Sequence, residues 1–262
     1  MELITRYYDE DIVLKRAVDI VCPTQVTRRV ALFYIHGGGW RAGARDGFHR
    51  HLYYFSRKGY VCASAGYRLA PHVHFTEQMG DVAIGYDRFL SYIRERELEV
   101  DRVIVLGSSA GAHLASMLAL TDPAVWNRGI EPTVPWLRPI ACVSINGPAT
   151  LEKWEPMHEG IKRDIENMLG VTYEEESPLF RDASPMAYVE GEAADFLFIL
   201  AGKEKFFPHS FIYEMSEKLQ QLSKRSEVVL FPEAEHGFFY GVGSPLQHEA
   251  LTVLEPFLES YA

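Results

Sequence analysis

The run Val30-Ala31-Leu32-Phe33-Tyr34-Ile35 is apolar at every position. A strand with one wet face would alternate, so an unbroken run of this length predicts a strand covered on both sides. Residues 60–65 read as the next buried strand, and the largely apolar runs 102–106, 139–145, 195–200 and 227–231 read as further strands. Between these runs the apolar positions recur at helical spacing. Residues 76–98 place Met79, Val82, Ala83, Tyr86, Phe89, Leu90 and Ile93 on one face, and residues 46–58, 110–120, 209–222 and 245–258 read as further helices. Near the beginning of the chain, from Asp11 to Cys22, apolar and polar residues alternate, which predicts one or two outer strands. Strands alternating with helices imply an α/β fold, with a mostly parallel central sheet and helices on both faces.

The alternation breaks once. Residues 147–192 are rich in Glu, Pro, Met and Trp, with weak periodicity. An insertion of this kind between strands is expected to lie over the C-terminal edge of the sheet as a small cap that shapes a pocket. Residues 1–262 are therefore expected to form one domain carrying this cap.

Composition narrows the partners. The chain has 262 residues, 47% apolar and 24% charged, with a formal net charge of −10. No basic field would draw in nucleic acid or an anionic membrane. Its three cysteines offer neither a disulfide framework nor a C-x-x-C metal pattern. No basic segment followed by an apolar core opens the sequence and no run is long enough to span a bilayer, so a cytoplasmic location is expected. A homodimer is compatible with this composition.

The chemistry centres on Gly107-Ser108-Ser109-Ala110-Gly111, which follows a predicted strand and opens a predicted helix. A turn that sharp raises the Ser109 hydroxyl above the sheet edge, with the positive end of a helix beneath it. Glycine two residues to either side avoids a collision. A serine hydroxyl is a weak nucleophile until a base takes its proton, and that base needs an acid to orient it. Among ten histidines, His236 lies on the loop after strand 227–231, from which an imidazole can reach the serine. His248 falls inside the closing helix, His113 points down its helix away from the serine's open side, and His72 with His74 makes only a weak metal pattern. No metal or cofactor is expected. The acid belongs on the loop after strand 195–200, where Glu204 is the only carboxylate; Asp195 and Asp182 are the alternatives. The amides of Ala110 and of Gly38 or Gly39 are the candidate oxyanion hole. His36 is expected to brace that glycine loop. Trp40 is assigned to the substrate-binding wall, with simple packing as its other reading.

His36-Gly37-Gly38-Gly39-Trp40, Tyr67-Arg68-Leu69-Ala70-Pro71, the Ser109 pentapeptide and Glu235-His236-Gly237-Phe238 together resemble α/β-hydrolase esterases of the hormone-sensitive-lipase and carboxylesterase type. Small bacterial acetyl-xylan and feruloyl esterases are similar, and the H-G-G-x-W form is shared with kynurenine formamidases. The resemblance implies the α/β-hydrolase fold, a chain order of nucleophile, acid and histidine, and an acyl-enzyme on Ser109. It implies a small-molecule ester as partner, with short acetyl-like or aryl acyl groups expected. Hydrolysis of N-formylkynurenine and a catalytically silent binding role are the alternatives. One position departs from the pattern: Lys205 stands where the family's acid is usually an aspartate.

Overall fold

The computed structural model describes residues 1–10, 12–122 and 132–262. Its eight described strands form one sheet. They are β1 (Leu3–Tyr7), β2 (Ala17–Val21), β3 (Val30–Ile35), β4 (Val61–Ala65), β5 (Arg102–Ser108), β6 (Ala141–Ile145), β7 (Asp195–Ala201) and β8 (Ser226–Phe231). Their spatial order is β1-β2-β4-β3-β5-β6-β7-β8. The β1–β2 and β2–β4 pairs are antiparallel, and every pair from β4 to β8 is parallel. The alternating segment 11–22 contributes one strand, β2; its first position, Asp11, lies outside the described residues. The other outer strand, β1, precedes that segment.

Parallel strands need crossovers, and helices supply them. The described α-helices are α1 (His49–Ser56), α2 (Phe75–Glu95), α3 (Ala110–Leu120), α4 (Glu159–Leu169), α5 (Leu179–Asp182), α6 (His209–Gln221) and α7 (Pro245–Glu259). Residues of β3 divide strictly between two cores. Ala31, Phe33 and Ile35 join the α2, α3 and α6 side, whereas Val30, Leu32 and Tyr34 join the α1 and α7 side. This double coverage is the physical reason that β3 shows no polar position. β3 is flanked by β4 on one side and β5 on the other, so the chain winds in opposite directions from it. Loops leaving β3 and β5 diverge at such a switch point, which opens a crevice at their C-terminal ends. The 147–192 segment carries α4 and α5 and begins just after β6.

Candidate active site

Ser109 sits in the turn between β5 and α3 with φ 55° and ψ −122°. This is a strained conformation for a residue with a side chain, and it persists because its surroundings permit no other path. A Cβ on Gly107 would overlap the Gly111 carbonyl, and one on Gly111 would overlap the Ile35 carbonyl oxygen. The Ser109 amide donates to Ile145 O at 2.8 Å, tying the elbow to the end of β6. The α3 N-terminus lies beneath, favouring negative charge at the serine.

His236 and Glu204 complete a relay with this serine. His236 Nε2 lies 2.8 Å from Ser109 Oγ, and His236 Nδ1 lies 2.6 Å from Glu204 Oε2. Glu204 Oε1 accepts the amides of Lys205 at 3.0 Å and Phe206 at 2.8 Å. Burial alone would raise the Glu204 pKa; the bond from His236, its charge and the two loop amides outweigh burial and hold the carboxyl below its usual range. Lys205, where the resemblance leads one to expect an aspartate, is exposed. The longer glutamate side chain therefore supplies the carboxylate from one position earlier. The loops that carry Glu204 and His236 are themselves joined, since Lys203 N donates to Ala234 O at 2.9 Å. Asn146, at the end of β6, accepts the Ala201 amide at 2.6 Å and steadies the root of the acid loop. The Phe206 ring meets the His236 ring edge-on at 4.8 Å. Asp195 accepts from the Arg225 amide and from Tyr261 Oη at 2.7 Å, and the carboxylate paired with His236 is Glu204 rather than Asp182.

The glycine loop after β3 faces the same point. Among the described residues no acceptor engages the amides of Gly38 or Gly39, and Ala110, first in α3, has no intrahelical acceptor for its N–H. These three N–H groups are free beside the serine. His36 braces the loop: its Nδ1 lies 2.8 Å from Gly37 O and its ring stacks on Tyr67 at 4.3 Å. A cavity of about 650 Å³ opens above the serine. Its wall includes Asp46, Tyr240, Phe206 and, from the insertion, His158, Ile161 and Asp164. Arg41, just past the glycines, pairs with Asp164 at 2.7 Å.

Trp40 does not line this cavity. It is 0% exposed, and its indole Nε1 donates to His113 Nδ1 at 3.1 Å. Trp40 has a positive φ, 57°, and its buried ring is tied to α3, so its place is packing rather than substrate contact. His113, whose other nitrogen lies 2.7 Å from Ala183 O, is buried away from the serine hydroxyl. His72, His74 and His248 are exposed. No group of three or more His, Cys, Asp or Glu side chains among the described residues could hold a metal. No described helix is long and apolar enough to cross a membrane.

A family profile described as BD-FAE matches residues 18–219, most of the chain. The chain belongs to the BD-FAE family. Among curated proteins this BD-FAE chain is similar to the probable carboxylic ester hydrolase LipM of Mycobacterium tuberculosis, 26% identical over 238 residues, covering 88% of this chain and 54% of LipM. It is also similar to bovine (Bos taurus) arylacetamide deacetylase, 38% identical over 133 residues, covering 45% of this chain and 33% of that protein. The chain spans about half the length of the mycobacterial relatives it matches. Among solved structures, Thermogutta terrifontis esterase 2 phosphonylated by sarin superimposes with a TM-score of 0.82 at 20% identity, covering 98% of this chain and 94% of the other. That likeness gives the α/β-hydrolase fold.

Proposed function

We propose that this chain is a serine carboxylic-ester hydrolase acting on short acyl esters, with Ser109 as nucleophile, His236 as base and Glu204 as the orienting acid. One observation carries the reading: a continuous hydrogen-bonded relay from Glu204 through His236 to Ser109 ends beside three unengaged amides. His236 Nε2 takes the hydroxyl proton as Ser109 Oγ attacks the ester carbonyl. The carbonyl electrons move to its oxygen, which the amides of Ala110, Gly38 and Gly39 stabilise. Collapse expels the alcohol, protonated by His236, and leaves Ser109 acylated. Water, activated by the same imidazole, releases the acid and restores the serine. Glu204 stays ionised, holding Nδ1–H toward itself and stabilising the imidazolium.

Residues 147–192 act here as the cap, since His158, Ile161 and Asp164 reach the cavity wall. A volume of about 650 Å³ suits a small-molecule ester. One Thermogutta terrifontis esterase 2 structure is butyrate-bound, which makes acetyl to butyryl esters the first panel to test. An aryl acetamide and a formyl amide belong beside them, because one relative is named for arylacetamide deacetylation. With p-nitrophenyl acetate the expected result is a burst of nitrophenol and labelling by a fluorophosphonate. Ser109→Ala is expected to abolish labelling and lower kcat on the order of 10⁵–10⁶-fold. Equal rates in the two proteins would refute the proposal.

A further inference from the structure

Tyr240 lies four residues beyond His236, and nothing in its sequence context marks it as part of the site. Its phenol oxygen accepts the Gly37 amide at 3.0 Å, a contact across 203 positions of sequence. Its ring is held against Phe48 at 5.0 Å between ring centres, and it forms part of the cavity wall. A Cβ on Gly37 would overlap the phenol oxygen, so the approach is as close as a glycine allows. The carbonyl of the same peptide, His36 O, accepts the Tyr67 hydroxyl at 2.9 Å. The His36–Gly37 peptide plane is thus pinned at its N–H by one tyrosine and at its C=O by another.

That plane immediately precedes Gly38 and Gly39. Glycines impose little conformational preference of their own. The Gly38 amide shares its peptide with Gly37 O, which His36 Nδ1 meets at 2.8 Å, and the Gly39 amide shares its peptide with Gly38 O, which accepts from Ala42 N at 2.9 Å. The His36–Gly37 plane therefore sets the direction in which these two tied peptides begin. The loop offers three successive N–H groups, those of Gly37, Gly38 and Gly39. Engaging the first leaves the second and third available. We infer that Tyr240 is a positioning residue for oxyanion stabilisation: it holds the His36–Gly37 peptide so that the Gly38 and Gly39 amides face the carbonyl attacked by Ser109. The inference rests on the hydrolase reading. Burial pushes the Tyr240 phenol pKa up, and the neighbouring Ser108 side chain and the bond from the Gly37 amide draw it only part of the way back. The ring oxygen is therefore a neutral acceptor at working pH. Because Tyr240 shares a loop with His236, it also fixes the glycine loop in register with the base.

The test compares wild type with Tyr240→Phe and Tyr67→Phe, which free the two ends of the same peptide. The readouts are kcat on p-nitrophenyl acetate, affinity for phenylboronic acid as a tetrahedral adduct, the apparent base pKa of kcat/KM, and melting temperature. Tyr240→Phe is expected to lower kcat about 10–100-fold, less than outright loss of an oxyanion donor. Boronate affinity should fall by a similar factor, while the base pKa and melting temperature hold. Tyr67→Phe should give the same signature, with a double variant little worse than either single one. An unchanged kcat in Tyr240→Phe overturns the inference, as does a shifted base pKa, or activity that falls only in step with melting temperature. In those cases wild type still turns over ester and binds boronate. A wild type that does neither overturns the hydrolase reading itself.

Discussion

Glu204 receives three N–H groups on two oxygens: two loop amides on Oε1 and the His236 ring on Oε2. Glutamine at this position keeps the shape but has one accepting end and one donating end. With the oxygen toward the loop it keeps two bonds and turns its NH₂ to His236. With the oxygen toward His236 it keeps one bond and sets its NH₂ against two amides. The first arrangement loses fewer bonds and is the one expected in Glu204→Gln. The imidazole must then accept at Nδ1, which places its proton on Nε2 facing Ser109, the wrong tautomer for a base. It also forfeits the negative charge that stabilises the imidazolium. A comparable loss of the orienting charge costs about 10⁴ in kcat, or about 5 kcal/mol of barrier. Folding should suffer by only about 1 kcal/mol, since the two loop bonds survive. Steady-state kinetics on p-nitrophenyl acetate, with urea unfolding of the same samples, separate the two effects. A Glu204→Gln protein within tenfold of wild-type kcat would refute the assignment of Glu204 and turn attention to another acid.

Gly111→Ala should destabilise the fold by about 1–3 kcal/mol in urea unfolding, with activity falling too, because its Cβ would collide with the Ile35 and His36 carbonyls at the elbow. Acid should destabilise the protein through three buried histidines, His36, His51 and His113, each of which burial pulls from 6.5 to about 4. Between those values the unfolded chain binds protons that the native one refuses, so stability is lost as pH falls from about 6.5 toward 4. From pH 7 to 5 each histidine contributes about 2 kcal/mol of loss, read as a falling urea midpoint; a midpoint independent of pH over that range would show that these rings are not held neutral.

Most of the fold was legible because parallel, doubly covered strands write themselves as unbroken apolar runs. The runs lie on β3 to β8 with ends within two residues, and the edge strand β8 is the one of these that is only half-buried. β1 escaped because its five residues, Leu-Ile-Thr-Arg-Tyr, are all half-buried at the sheet edge and carry neither a run nor a clean alternation. The elbow and the histidine loop were legible because backbone strain and motif order demand particular residues. Trp40 was not, because an aromatic after a glycine run can turn toward substrate or toward the core, and only its partner His113, 73 positions away, decides. The contact of Glu204 with His236 was readable through loop position despite Lys205, since the glutamate side chain one position earlier places Oε2 2.6 Å from Nδ1.

The glycine loop shows why the chemistry is easier to read than its supports. Residue 37 must be glycine so that backbone can approach the serine turn, and residues 38 and 39 adopt positive φ, 117° and 58°, that glycine takes without strain. Yet a run of glycines has no shape of its own and loses more entropy on ordering than any other sequence. Its shape has to come from outside. Tyr67 and Tyr240 pin its first peptide, His113, Gln78 and the Ala70 amide hold Trp40 at its far end, and Asp164 holds Arg41 just beyond. These ties come from α2, α3, α4, the loop after β4 and the histidine loop, so no local pattern announces them. Loosening one tie should therefore act on the amides before it acts on the serine or its base, which is why transition-state affinity, rather than nucleophile labelling alone, is the sensitive measure of this loop.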